Sequence, residues 1–228
     1  MPKKYAISDI HGCLKTFKSL LTKLNYSQKD ELYILGDFKD RGPDSKGVID
    51  YIWELRKSGY HVHCTRGNHD QMMLDARDSL KLQRKWLMIG GQTTVENFDA
   101  HYIQDIPSRY FQFFEEMPLY LEVDNYILVH AGFKFDMPNP FNEHQSMLWQ
   151  REWYGLINYH WLGNRIIVHG HTPLTKSEIT SMLNDLDKNK YIDIDCGCVH
   201  KGRLEGLGYL TCLILNENKL VFEKNIDF

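Results

Sequence analysis

Acidic, imidazole and amide side chains recur where the apolar runs of this chain stop. Asp9 and His11 follow KYAIS, and Asp37, Asp40 and Arg41 follow ELYILG. Arg66, Asn68, His69 and Asp70 follow YHVHCT in the run RGNHD. His130 follows YILV, and His169 and His171 follow RIIV. Carboxylate, imidazole and amide oxygen are hard to borderline donors, suited to manganese, iron or zinc rather than to a thiolate-bound metal. Asp9 and His11 can hold one ion from a single loop. Asn68, His130 and His171 can supply a second. Asp37, with two carboxylate oxygens, is the natural bridge. Two ions ~3.5–4 Å apart would share a water and clamp an in-line displacement at phosphorus.

These groups need elements to carry them. Residues 4–8 are expected to form a strand, and LKTFKSLLTKL places Leu14, Phe17, Leu21 and Leu24 at helical spacing. A second strand covers 31–37. A second helix follows, with Val48, Ile49, Ile52 and Leu55 on one face and Gly59 at its end. A third strand covers 60–65. The order β-α-β-α-β implies parallel strands with right-handed crossovers. Residues 71–117 read as helical and aromatic-rich. Strands are expected at 119–123, 126–132, 165–172 and 191–197, with 133–164 irregular. Residues 208–224 read as a hairpin around Asn216–Asn218. Ligands of open α/β sheets gather beyond the carboxyl ends of strands, so five strands would deliver polar groups to one edge. No repeat or linker interrupts the chain, and 1–228 reads as one α/β domain with a helical insertion.

The totals narrow the partners. The net charge is −3 over 228 residues, and no basic excess points to nucleic acid. Apolar residues make up 43% and charged residues 25%, ordinary for a soluble globular protein. No stretch has the length and apolarity of a membrane span, and the N-terminus lacks the apolar region of a signal peptide. Five cysteines at irregular spacing argue against a disulfide framework and for a reduced, cytoplasmic setting. Cys196 and Cys198 read as small buried residues on alternating strand positions.

Taken together, DIHG (9–12), GDFKDRG (36–42), RGNHD (66–70), VHAG (129–132) and VHGHT (168–172) resemble the calcineurin-like metallophosphoesterases. Within that family the chain looks most like the phosphoprotein phosphatase branch, in its phage lambda type of serine/threonine protein phosphatase. RGNHDQMM, the GGQ near residue 91 and QSMLWQRE fit that type as well. The resemblance spans residues 5 to about 197. It implies a β-sandwich of two mixed sheets flanked by helices, and two divalent ions, manganese first and iron or zinc as substitutes. It implies Asp9, His11 and Asp37 around the first ion, and Asn68, His130, His171 and the bridging Asp37 around the second. His69 would be the general acid, oriented by Asp40. Arg41, Arg66 and Arg151 would grip phosphate oxygens, as a planar guanidinium does bidentately. A carboxylate-held imidazole can give a leaving alkoxide its proton. The implied activity is hydrolysis of phosphoserine and phosphothreonine in proteins by a metal-bridging hydroxide, with no phosphoenzyme.

Three features depart from that pattern. Lys39 stands where the family usually has an apolar residue. The third motif ends in Asp70 rather than glutamate. GNHD and RGPDS also occur in the diadenosine tetraphosphate hydrolase branch, although that branch often lacks the aspartate present here as Asp40. The alternative substrate is therefore a dinucleoside polyphosphate. A non-catalytic binding scaffold is a further alternative, disfavoured by Asp40, His69, Arg41 and Arg66 standing beside six ligands. His61, His63, His101, His144, His160 and His200 read as surface or core residues, and His169 as a neighbour of His171. Trp149, Trp153, Tyr154 and Trp161 read as core packing, with a wall for a nucleobase or peptide ring as the alternative.

Overall fold

The computed structural model describes residues 2–228. In chain order the first half contains β1 (Lys4–Ile7), α1 (Leu14–Leu24), β2 (Glu31–Leu35), α2 (Ser45–Lys57) and β3 (His61–Thr65). Helices α3 (Asn68–Ala76), α4 (Leu80–Trp86), α5 (Gln92–Asn97) and α6 (Ser108–Glu115) follow. The second half runs β4 (Tyr120–Val123), β5 (Tyr126–Val129), α7 (His144–Trp149), α8 (Tyr159–Leu162), β6 (Ile166–His169), α9 (Lys176–Asn184), α10 (Leu186–Asn189), β7 (Tyr191–Asp193), β8 (Tyr209–Ile214) and β9 (Lys219–Lys224).

Two mixed sheets result, as expected. One has the order β3-β2-β1-β8-β9 and the other β4-β5-β6-β7. The first three strands pair in parallel, with Ala6 opposite Tyr33 and Leu32 opposite Val62. The hairpin β8–β9 joins antiparallel, Ile214 facing Lys219. Side chains on a strand alternate faces, and that alternation makes the layers. Tyr5, Ile7, Leu32 and Ile34 face the helices α1 and α2. Ala6, Tyr33, Leu35 and Leu213 face inward, sharing one cluster with Leu128, Val168 and Ile192 of the other sheet. Ile127, Val129 and Ile167 face outward again, under Phe133, Phe135, Met147 and Trp153.

Two local details differ from the sequence expectation. Residues 133–164 are not wholly irregular. The Glu143 carboxylate accepts from the backbone N–H of Gln145 (3.3 Å) and Ser146 (2.6 Å) and starts α7. Glutamate is not a standard capping signal, so the sequence pattern hides this helix. Cys196 and Cys198 are buried but lie beyond β7, where Gly197 turns the chain through a left-handed φ of 58°. All five cysteines are free and buried. Among the described residues, no helix is long and apolar enough to cross a membrane.

Helix α1, which follows the Asp9–His11 loop, borrows its cap from the far end of the chain. Asp227 Oδ1 accepts from Lys15 N–H (3.0 Å), and Oδ2 accepts from Thr16 N–H (2.9 Å) and the Thr16 hydroxyl (2.5 Å). A carboxylate there satisfies orphan donors and meets the positive end of the helix dipole. Asp227→Ala is expected to lower stability by about 1 kcal/mol, read as a shift in the urea midpoint at unchanged slope. An unchanged midpoint would show the cap to be idle.

Candidate active site

Three of the five polar loops predicted from the sequence turn sharply at their strand ends. Asp9, His11, Asp37, Asp40, Arg41 and His171 all have positive φ, between 45° and 75°. They are six of the twelve non-glycine residues in that region among those described. Such conformations cost on the order of 1–3 kcal/mol each and persist only where the surroundings impose them. Here the loops impose them on one another. His11 N–H donates to Asp37 O (2.9 Å), Gly12 N–H to Phe38 O (2.8 Å), and Gly170 N–H to His130 O (2.8 Å). His171 N–H donates to Asp9 Oδ2 (3.1 Å). Asp70 Oδ2 accepts from both Asp37 N–H and Gly67 N–H at 2.9 Å, which gives the aspartate of RGNHD a structural task. Gly36 has φ of 83°, and a Cβ there would fall 2.5 Å from the Gly67 backbone, so the second and third loops meet only without a side chain.

The six expected ligand residues converge, all buried. His11 Nδ1 donates to Lys39 O (2.8 Å), which leaves Nε2 facing Asp37 Oδ2 at 3.4 Å. His130 Nδ1 donates to Leu35 O (2.8 Å), and its Nε2 faces Asn68 Oδ1 (2.9 Å) and Asp37 Oδ1 (3.6 Å). His171 Nδ1 lies 3.0 Å from the same Asn68 oxygen. Two groupings have their donor atoms within 4.8 Å of one another: His11, Asp37 and His69, and Asp9, Asp37 and His130. Asp37 belongs to both. Burial alone would raise its pKa, but the imidazoles of His130, His69, His11 and His171 hold it below the usual carboxylate range. Burial pushes Asp9 up to about 6, opposed by His130 and reinforced by Asp37. Burial opposes the charged form of His130, and the Asp37 and Asp9 carboxylates outweigh it, so its pKa rises. Two carboxylates, three imidazoles and an amide oxygen, packed at contact distance out of water, are a donor set that divalent cations satisfy.

Beside these groups stands the expected acid pair. His69 Nδ1 lies 2.8 Å from Asp40 Oδ2. Asp40 also accepts from Trp86 Nε1–H (2.8 Å) and the Thr94 hydroxyl (2.6 Å). Burial would raise Asp40, but Lys39 and His69 hold it below the carboxylate range. A cleft of about 110 Å³ opens over the cluster, lined by Asp9, His11, Asp37, Asn68, His69 and His171 together with Arg41 and Arg151. Arg41 Nη1 reaches His11 Nε2 at 2.9 Å, and Arg151 Nη1 donates to Thr172 Oγ1 at 2.9 Å.

Arg66 is a correction. It does not line the cleft. Its guanidinium donates to Phe114 O (2.9 Å), Glu115 O (2.8 Å) and Met117 O (3.2 Å), and to Gln71 Oε1 (2.8 Å). It therefore engages main-chain carbonyls at and just past the end of α6 rather than a phosphate. His200 is a correction in the other direction. It lines the cleft with Pro173, Asp195, Gly197 and Val199, residues the sequence reading left out. Asp195 stands just past β7, so the strand-end rule could have found it; burial, then the neighbouring Asp9, raises its pKa well above the usual range. For His200 no sequence signal exists. His169 turns into the core, its Nε2 3.0 Å from the Tyr154 hydroxyl, and burial pushes it down to about 3. The aromatic stretch is mainly core: Trp153 is buried, Tyr154 stacks on Tyr191 at 4.1 Å, and Trp161 packs on Phe133 and Phe141. Trp149 stands apart, 37% exposed, its ring nearly perpendicular to that of His171 with centroids 6.4 Å apart.

Comparison with known proteins agrees with this geometry and corrects the expected substrate. Residues 3–197 match the family model for calcineurin-like phosphoesterases. The chain is 30% identical over 241 aligned residues to the asymmetrical bis(5'-nucleosyl)-tetraphosphatase PrpE of Bacillus mycoides, with 89% of each chain covered. It is 27% identical to the protein of that name from Oceanobacillus iheyensis, covering 97% of this chain and 96% of the other. A crystal structure provisionally described as a diadenosine tetraphosphatase superposes with TM-score 0.65 at 20% identity, over 97% of this chain and 95% of that one. A serine/threonine protein phosphatase from Saccharomyces cerevisiae superposes with TM-score 0.68 at 17% identity, over 97% of this chain and 79% of that one. The two structural likenesses show the fold alone. The curated relatives overturn the expectation of a phosphoserine and phosphothreonine phosphatase. Asp40, which had favoured it, reports a held imidazole; it does not report what a phosphate would be attached to.

Proposed function

Because the chain belongs to the calcineurin-like phosphoesterase family, we propose that it is a metal-dependent hydrolase of dinucleoside polyphosphates. Its substrate would be a bis(5'-nucleosyl) tetraphosphate, cleaved with one water into a nucleoside triphosphate and a nucleoside monophosphate. The observation that carries this reading is the likeness to asymmetrical tetraphosphatases over 89% of both chains. The cleft is compatible with it. Arg41 and Arg151 stand over the donor cluster, where guanidinium groups can pair with the oxygens of a polyphosphate chain.

In this reading Asp9, His11 and Asp37 hold one divalent ion, and Asn68, His130 and His171 hold a second, with Asp37 shared. When bound, such ions lower the pKa of water and neutralise phosphoryl charge. Manganese, iron and zinc all accept this donor set, and manganese is our choice for reconstitution. His11 and His130 are fixed by backbone carbonyls, so each presents Nε2 without searching. Asp40 holds the Nδ1 side of His69, which leaves Nε2 to give a proton to the departing oxygen. Arg41 and Arg151 orient the phosphate chain.

The direct test compares kcat/KM of manganese-supplemented protein on diadenosine tetraphosphate and on a phosphothreonine peptide. The dinucleotide is expected to be the better substrate. A peptide turned over equally well or faster would overturn the reading.

A further inference from the structure

Lys39, the residue that departs from the family pattern, is fully buried beside the proton-donating pair, with 0% of its side chain exposed. Its ammonium lies 3.1 Å from each Asp40 oxygen and donates to His69 O at 2.8 Å. The Trp86 and Phe114 rings flank it, their centroids 5.0 and 5.9 Å from Nζ. An ammonium out of water is costly unless paired and hydrogen-bonded. Filling this space would take only an apolar side chain, since two aromatic rings already line it. Lys39 does not line the cleft, so it cannot meet a substrate. What it does meet is both members of the pair: the carboxylate of Asp40 and the main chain of His69. Thr94 and Trp86 hold Asp40 as well, but neither is shown bonded to His69. Among the contacts of Asp40, the ammonium is the one that also reaches the His69 backbone.

We propose that Lys39 is a positioning residue for leaving-group protonation: its ammonium ties the Asp40 carboxylate to the His69 carbonyl and so fixes the His69 ring against the cleft. The proposal rests on His69 being the proton donor. An alkoxide leaving group needs that proton, whereas a nitrophenolate leaves without one. Lys39 should therefore matter in proportion to the basicity of the leaving oxygen. A residue that merely supports the fold would affect all substrates alike.

The test is Lys39→Met, in which a thioether of similar length can pack on the two rings. On an alkyl phosphate kcat is expected to fall about ten- to a hundredfold, with little change on p-nitrophenyl phosphate and little change in KM. In a His69→Ala background the same substitution is expected to cost nothing more, because residues acting through one group are not additive. Equal losses on both esters, or a full additional loss without His69, would overturn the proposal. The Nδ1–H proton of His69, identified by NMR as the low-field signal that His69→Ala removes, gives a readout independent of turnover. It is expected to broaden by exchange with water in Lys39→Met, and an unchanged signal would also overturn the proposal. Should the methionine variant fail to fold, Lys39→Leu, which has neither charge nor donor, is read in the same way. His69→Ala alone separates the two failures. A loss equal on both esters sinks the acid role itself, whereas a leaving-group-dependent loss with a flat Lys39→Met sinks only the role of Lys39.

Discussion

Asp37→Asn is expected to lower kcat by about 10³-fold or more and to leave the protein unable to retain its full complement of divalent metal. The side chain keeps its shape and loses its charge. Asp37 belongs to both donor groupings, with Oδ2 3.4 Å from His11 Nε2 and Oδ1 3.6 Å from His130 Nε2. Its Oδ1 also accepts from His69 N–H at 3.0 Å. One substitution would therefore weaken both groupings and slacken the loop that carries His69. Metal ions contribute several kcal/mol to such reactions, and each ~1.4 kcal/mol is a factor of ten in rate. The check is metal per chain by elemental analysis, beside turnover and a circular dichroism spectrum. Full metal content with turnover near that of the parent protein would remove Asp37 from the shared position.

The second large effect is that of His69→Ala, and its size should depend on the leaving group. General acids contribute on the order of 10²–10⁴ to rate, and that range is expected for an alkyl phosphate. The oxygen expelled from a phosphoanhydride is far less basic than an alkoxide, so roughly a tenfold loss is expected on diadenosine tetraphosphate. His69 and Asp40 are buried and 2.8 Å apart, and the main-chain N–H of His69 is tied to Asp37. The alanine variant should therefore keep the backbone path and lose only the ring. Steady-state kinetics on the two substrates decides the matter. A larger loss on the tetraphosphate than on the alkyl ester would contradict the role given to His69.

Much of this was legible in the sequence because burial is written in periodicity. Val48, Ile49, Ile52 and Leu55 mark the inner face of α2, and all four are buried. The alternation of Tyr5, Ala6 and Ile7 sends their side chains to opposite faces of β1. The candidate ligand residues could be found because each stands close to a strand end, where the topology leaves little choice of place. What escaped depends on chain paths that no local pattern encodes. Arg66 looked like a phosphate grip from its position in RGNHD, but α6 ends close enough for its carbonyls to take the guanidinium. His200 entered the cleft through the turn after Gly197, a geometry set by tertiary packing. Trp86 and Thr94, which hold Asp40, come from helices far along the chain and carry no mark of that task. Lys39 was visible as an oddity in the motif; its meaning needed the carbonyl of His69 on its other side.

Product identity decides both the substrate and the bond cleaved in it. Manganese-supplemented protein would be given diadenosine tetraphosphate, and the nucleotides separated by anion-exchange chromatography over the first tenth or so of the reaction. ATP and AMP in equal amounts are expected. Two molecules of ADP per substrate would contradict asymmetric cleavage, and an intact dinucleotide beside phosphate released from a phosphothreonine peptide would contradict the proposed function altogether.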